Sequence, residues 1–91
     1  MTNNCVLASA AAAEPFGLTV EVLSDATGAI PLSNDAGLAS AAQVHETLMT
    51  QLDSNWAAVA TTDAWIDAVR AGTGLPKSNL VESAITGRSI A

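Results

Sequence analysis

The chain has 91 residues, 49% of them apolar, and a formal net charge of −6. That length allows one domain with a limited core, and 19 of the apolar residues are Ala, which adds helix propensity but little buried area. From Met1 to Val69 there are eight acidic residues and no Lys or Arg, whereas three basic residues and one acid follow from Arg70 on. This balance argues against a nucleic-acid backbone as partner, because phosphate binding needs clustered cations.

The start, Met1-Thr2-Asn3-Asn4-Cys5, lacks the basic region of a secretory signal, and the Ala run after it is too short and too weakly apolar to span a membrane. The expected location is the cytoplasm, or a particle assembled there. Residues 4–13 read as an Ala-rich helix capped by Asn3 or Asn4 and stopped by Pro15 and Gly17. Leu18-Thr19-Val20-Glu21-Val22-Leu23 alternates and is β-branched, which is a strand signal. A lone strand needs a partner, so this piece either pairs with another copy or is helical in context.

Residues 24–35 read as a loop, with Pro31 barred from a helix interior. Ser33, Asn34 and Asp35 offer caps for a helix over about 36–52, whose apolar stripe is Leu38, Ala41, Ala42, Leu48, Met49 and Leu52. Residues 55–71 form one helix, or two with a break at Thr61-Thr62-Asp63. Thr62 is the expected cap of the second piece, Arg70 suits its last turn, and Gly72 can close it in the left-handed conformation. Asn79 can cap a last helix of about 80–86 in a capping box with Glu82, with Gly87 ending it. The expected fold is mostly α. It is one domain over residues 1–91, a small helical hairpin or bundle over about 36–86, with an N-terminal arm of residues 1–35 and a possible single strand in it.

The chemistry-bearing residues do not form a complete site in the sequence. His45-Glu46-Thr47-Leu48-Met49 begins like the HExxH zinc motif, but Met49 stands at the second ligand position and there is no other His. His45 lies in the apolar stripe and reads as a buried or interface residue. Cys5 is the only cysteine and would need a base beside it to act as a nucleophile, so it reads as an inert thiol. Asp63 and Asp67, four apart, read as a solvated face. Gly72-Thr73-Gly74 lacks the context of a phosphate loop. No catalytic, metal-binding or cofactor-binding residue is expected.

Trp56 and Trp65 are the largest apolar anchors, suited to a core or to an interface hot spot. The candidate interface residues are Leu38, His45, Leu48, Met49, Leu52, Trp56, Trp65 and Arg70.

Three patches carry a resemblance: Thr19-Val20-Glu21-Val22-Leu23-Ser24-Asp25-Ala26, Leu38-Ala39-Ser40-Ala41-Ala42, and Asn55-Trp56-Ala57-Ala58-Val59-Ala60-Thr61-Thr62. In this order and with gaps, the chain resembles the proteins that build R-bodies, the coiled ribbons of the "killing trait" family. The resemblance implies a polymerising structural protein with no catalytic residues. The expected function is therefore a non-enzymatic structural subunit that self-associates into a ribbon or particle. The alternative is a small acidic adaptor or inhibitor on a basic partner protein. The expected partners are copies of the chain or another protein.

Overall fold

In the computed structural model, residues 1–90 are described. A π-helical turn, Thr2–Val6, runs directly into α1 (Leu7–Ala13). Five of the seven residues of α1 are Ala, so propensity carries it and only Ala10 is buried. A short 3₁₀ turn, Glu14–Phe16, holds Pro15, and Gly17 reverses the chain at φ 68. Only a residue without a Cβ adopts that angle without strain.

Strand β1 (Glu21–Leu23) follows. A hairpin of β2 (Leu32–Asn34) and β3 (Gly37–Ala39) comes next, its turn held by Asn34 Oδ1 accepting from the Ala36 amide at 2.8 Å. Helix α2 (Ala41–Ser54) starts on a complete capping box. Ser40 Oγ accepts from the Gln43 amide, and Gln43 Oε1 accepts from the Ser40 amide. Strand β4 (Ala58–Ala60) leads into α3 (Thr62–Ala71), capped by Thr61 and closed by Gly72 at φ 68. Helix α4 (Leu80–Ile90) ends the described chain, its first turn satisfied by Asn79 Oδ1 accepting from the Glu82 amide at 2.9 Å.

The strands β1 and β4 pair in parallel, with Val22 opposite Val59, and α2 lies in the crossover between them. Parallel neighbours need such a crossover, and a helix is its usual form. Ala10, Val22, Met49, Leu52 and Ala57 make the buried core, and Val6, Leu7, Val20, Trp56 and Val59 pack on it. The core thus sits between the sheet and the two helices α1 and α2.

This architecture corrects the expectation of a mostly α hairpin: the chain is α/β, with a parallel and an antiparallel two-stranded sheet. Residues 18–23 do hold a strand, but its partner is β4 of the same chain, within a stretch expected to be helical. Ala58-Val59-Ala60 has the local preferences of a helix, yet Ala57 and Ala58 are buried beside β1, and that burial decides the conformation. Residues 36–39 belong to the hairpin rather than to the first turn of α2, since Ser40 takes the cap. The cap of α3 is Thr61 and not Thr62. Gly87 does not end α4, which continues to Ile90.

Candidate active site around Cys5

Cys5 lies in the π-helical turn at the head of the helical run, and its side chain is exposed. The Met1 ammonium stands 3.3 Å from Sγ, and the thiol can donate to the Met1 carbonyl at 3.7 Å. That ammonium holds the Cys5 thiol below its ordinary range, first as a hydrogen-bond donor and then as a charge, with smaller help from the backbone amides of Val6 and Cys5. Cationic neighbours and helix starts favour the thiolate, which is the nucleophilic form.

The turn is fastened from below by Thr2, which is fully buried. Its amide donates to the Gly28 carbonyl at 2.8 Å. Its hydroxyl lies 3.0 Å from His45 Nδ1, while His45 Nε2 lies 2.8 Å from the Ser24 carbonyl. A carbonyl can only accept, so Nε2 carries a proton, and in the neutral ring Nδ1 accepts from the Thr2 hydroxyl. One imidazole therefore ties the Cys5 turn, α2 and the end of β1 together. Asp25 adds a second tie, accepting from the Thr62 amide at 2.8 Å and its hydroxyl at 2.7 Å. These two hydrogen bonds, the hydroxyl first, hold the Asp25 carboxyl below its usual value.

The arrangement gathers Thr2, Ser24, Asp25, Gly28 and Thr62 beyond the carboxyl ends of the two parallel strands. Open α/β sheets place their binding crevices there. A cleft of about 480 Å³ opens from this end, lined by Cys5, Ser9, Thr27, α1 and the whole of β1. A second cleft of about 550 Å³ lies away from Cys5, among Glu14, Trp56 and Lys77.

The predicted interface residues are dispersed. Met49 and Leu52 are in the core with Trp56 against them. Leu48 is half-buried at a shallow groove shared with Asn3 and Leu32. Leu38 is 81% exposed, on β3 rather than on a helix. Trp65 donates to Glu21 Oε1 at 3.2 Å, and Arg70 is exposed in the last turn of α3. Among them His45 is the one hydrogen-bonded to the Cys5 turn. Cys5 stands at the start of a helical run, a placement that the Ala-rich stretch after it signals in the sequence. The His45 tie spans 43 residues and has no local signal.

Among the described residues no three His, Cys, Asp or Glu side chains converge as metal ligands, and no helix is long and apolar enough to cross a membrane. No protein-family model and no curated protein matches the chain. A crystal structure does match: that of a Burkholderia xenovorans protein described as a "putative isochorismatase". It is 45% identical to this chain, with a TM-score of 0.94. The match covers 98% of this chain and 43% of that one, so the chain spans less than half the length of the Burkholderia protein. This likeness overturns the R-body resemblance, which rested on Ala-rich patches that many helices share. It also overturns the non-enzymatic, self-associating subunit and the acidic adaptor, since the protein it matches is described as an enzyme. What the chain resembles along nearly its whole length is part of an enzyme-type α/β fold.

Proposed function

We propose that the chain forms part of a hydrolase of the isochorismatase kind, and that Cys5 is its nucleophile. The observation that carries the reading is the 45% identity to the Burkholderia protein over 98% of this chain. The geometry supports the choice of residue: an exposed thiol with a lowered pKa, at the head of a helical run, opening onto a cleft. In such a step the Cys5 thiolate attacks an electrophilic carbon of the substrate. A carbon–sulfur bond forms and the leaving group departs with a proton. Water then cleaves that bond, releasing the product and returning the thiol. Thr2 and His45 fix the turn from which Sγ projects, which lowers the entropic cost of the attack.

The chain is tested together with a separately produced polypeptide equivalent to the rest of the Burkholderia protein. Isochorismate and a set of small amides are offered as substrates. Turnover is expected, and Cys5→Ser should reduce it by roughly 10³-fold or more. Full turnover by the Cys5→Ser chain would remove Cys5 from the mechanism. No turnover of any substrate would sink the hydrolase reading.

A further inference from the structure

The second cleft, of about 550 Å³, lies at the amino end of the parallel sheet, opposite Cys5. Val20 and Glu21 line it from the start of β1, and Ala57 and Ala58 from the start of β4. The connector to α4 lines it through Gly74, Leu75 and Lys77. Ala57 and Ala58 are buried and Trp56 is half-buried, so this part of the wall is apolar and firmly set. Clefts of this size hold small ligands when an apolar wall carries a few placed polar groups.

Negative potential reaches the cleft from two independent sources. The first is a pair of exposed carboxylates in its lining, Glu14 and Glu21. Glu21 Oε1 accepts from the Trp65 indole N–H at 3.2 Å, which orients the carboxylate without neutralising it. The second is helix α2, which ends at this cleft: its C-cap, Asn55, and the following Trp56 are both in the lining. The carboxyl end of a helix carries a partial negative charge that a cation offsets, yet α2 has no basic residue in its last turn. A cation comes from the connector instead. Lys77 Nζ donates to the Asp53 carbonyl at 3.3 Å and to the Ser78 carbonyl at 2.8 Å. The chain thus sets one ammonium of its own at the rim, and directs it to backbone carbonyls and not to Glu14 or Glu21.

We propose that this cleft is a binding site for a small organic cation, a primary ammonium on an aromatic stem. The ammonium sits by Glu14 and Glu21, near the end of α2, and the stem lies against Trp56 and the two alanines. Carboxylates, helix end and indole face all favour the positive charge. An anion of the same shape is repelled, and a neutral analogue gains only the apolar contact. The site is separate from Cys5 and does not rest on the hydrolase reading.

The test titrates the full chain with phenethylammonium, 2-phenylethanol and phenylacetate, which share a stem and differ in charge. The indole N–H signals of Trp56 and Trp65 are followed by NMR at low salt. Phenethylammonium is expected to saturate with a Kd of about 1 mM or below, shifting both indoles. The neutral and anionic probes should bind about tenfold more weakly or not at all. Glu14→Gln and Glu21→Gln should each weaken the ammonium by about two- to fivefold. Both residues are exposed, and circular dichroism checks that the variants fold. Asp35→Asn, which removes an exposed carboxylate outside the cleft, should leave the affinity unchanged. Equal affinity for 2-phenylethanol would make the cleft an apolar pocket only and overturn the proposal. An affinity unmoved by both Gln variants, a loss matched by Asp35→Asn, or a titration that does not saturate would overturn it too.

Discussion

The turn that carries Cys5 and the helix α4 are both short helical pieces, but they are held by different forces. The first is anchored on Thr2 and Ala10, which are 0% and 2% exposed, and it packs on a core that includes Leu52 at 0%. The second buries nothing: Leu80, Val81, Ile85 and Ile90 are all more than half exposed. Polar staples join its approach to the end of α2. The Ser78 amide donates to Asp53 Oδ2 at 3.3 Å, and Lys77 Nζ donates to the Asp53 carbonyl at 3.3 Å. The difference teaches that a capped helix can stand on polar staples alone, whereas the Cys5 turn is fixed by packing and buried hydrogen bonds acting together.

The largest test of that contrast compares Leu52→Ala with Ile85→Ala. Leu52 is fully buried, so truncating it should cost about 2–5 kcal/mol through lost transfer energy and a cavity. Ile85 is 54% exposed, and its truncation should change stability by no more than about 0.5 kcal/mol. Urea unfolding of both variants measures the two costs. Similar costs would mean that α4 is packed in solution and would break the comparison.

The same contrast explains what could be read from the sequence. Asn79 and Gly72 signal helix ends through local chemistry, and both act as expected. Val20-Glu21-Val22 signals a strand, also locally. Ala58-Val59-Ala60 signals nothing of the kind, because its strand state comes from burial against residues nearly forty positions away in the chain. The hairpin carries no sequence signal for a related reason: strands of three residues are too short for alternation to register. At the candidate site, the sequence shows one thiol and one imidazole, but not that Thr2 joins them. Nor does it show that the Met1 ammonium folds back onto Sγ. Those are products of the turn's geometry.

A middle-sized effect is expected from His45→Phe, which keeps a ring but loses both hydrogen bonds. Thr2 Oγ1 and the Ser24 carbonyl would lose their partner in a part-buried setting, at a cost of about 1–3 kcal/mol. The effect should also reach Cys5. Loosening Thr2 loosens the turn that brings the Met1 ammonium to Sγ, so the thiol should rise toward its ordinary pKa. Less thiolate is then present at neutral pH, and alkylation by iodoacetamide should slow. Lower stability with an unchanged alkylation profile would show that His45 supports the core without shaping the site.

The smallest effect belongs to the tie between Asp25 and Thr62, which joins the end of β1 to the first turn of α3. Asp25 is exposed, so its two hydrogen bonds are screened by water and worth little beside a buried contact. The sign is fixed even so. The folded carboxyl has a pKa below its ordinary value, chiefly through the Thr62 hydroxyl. Its contribution is fully present above the unfolded value of about 4, and it is lost as pH falls through the lower folded value. Thr62→Val removes the hydroxyl bond and keeps the amide bond. An NMR titration should then find the Asp25 carboxyl closer to its ordinary pKa, and acid unfolding should lose part of its pH dependence in this range. Above pH 5 the variant should unfold in urea close to the parent. If it instead lost as much stability as Leu52→Ala, polar stapling would rival core packing in this chain, and α3 would belong with the Cys5 turn rather than with α4.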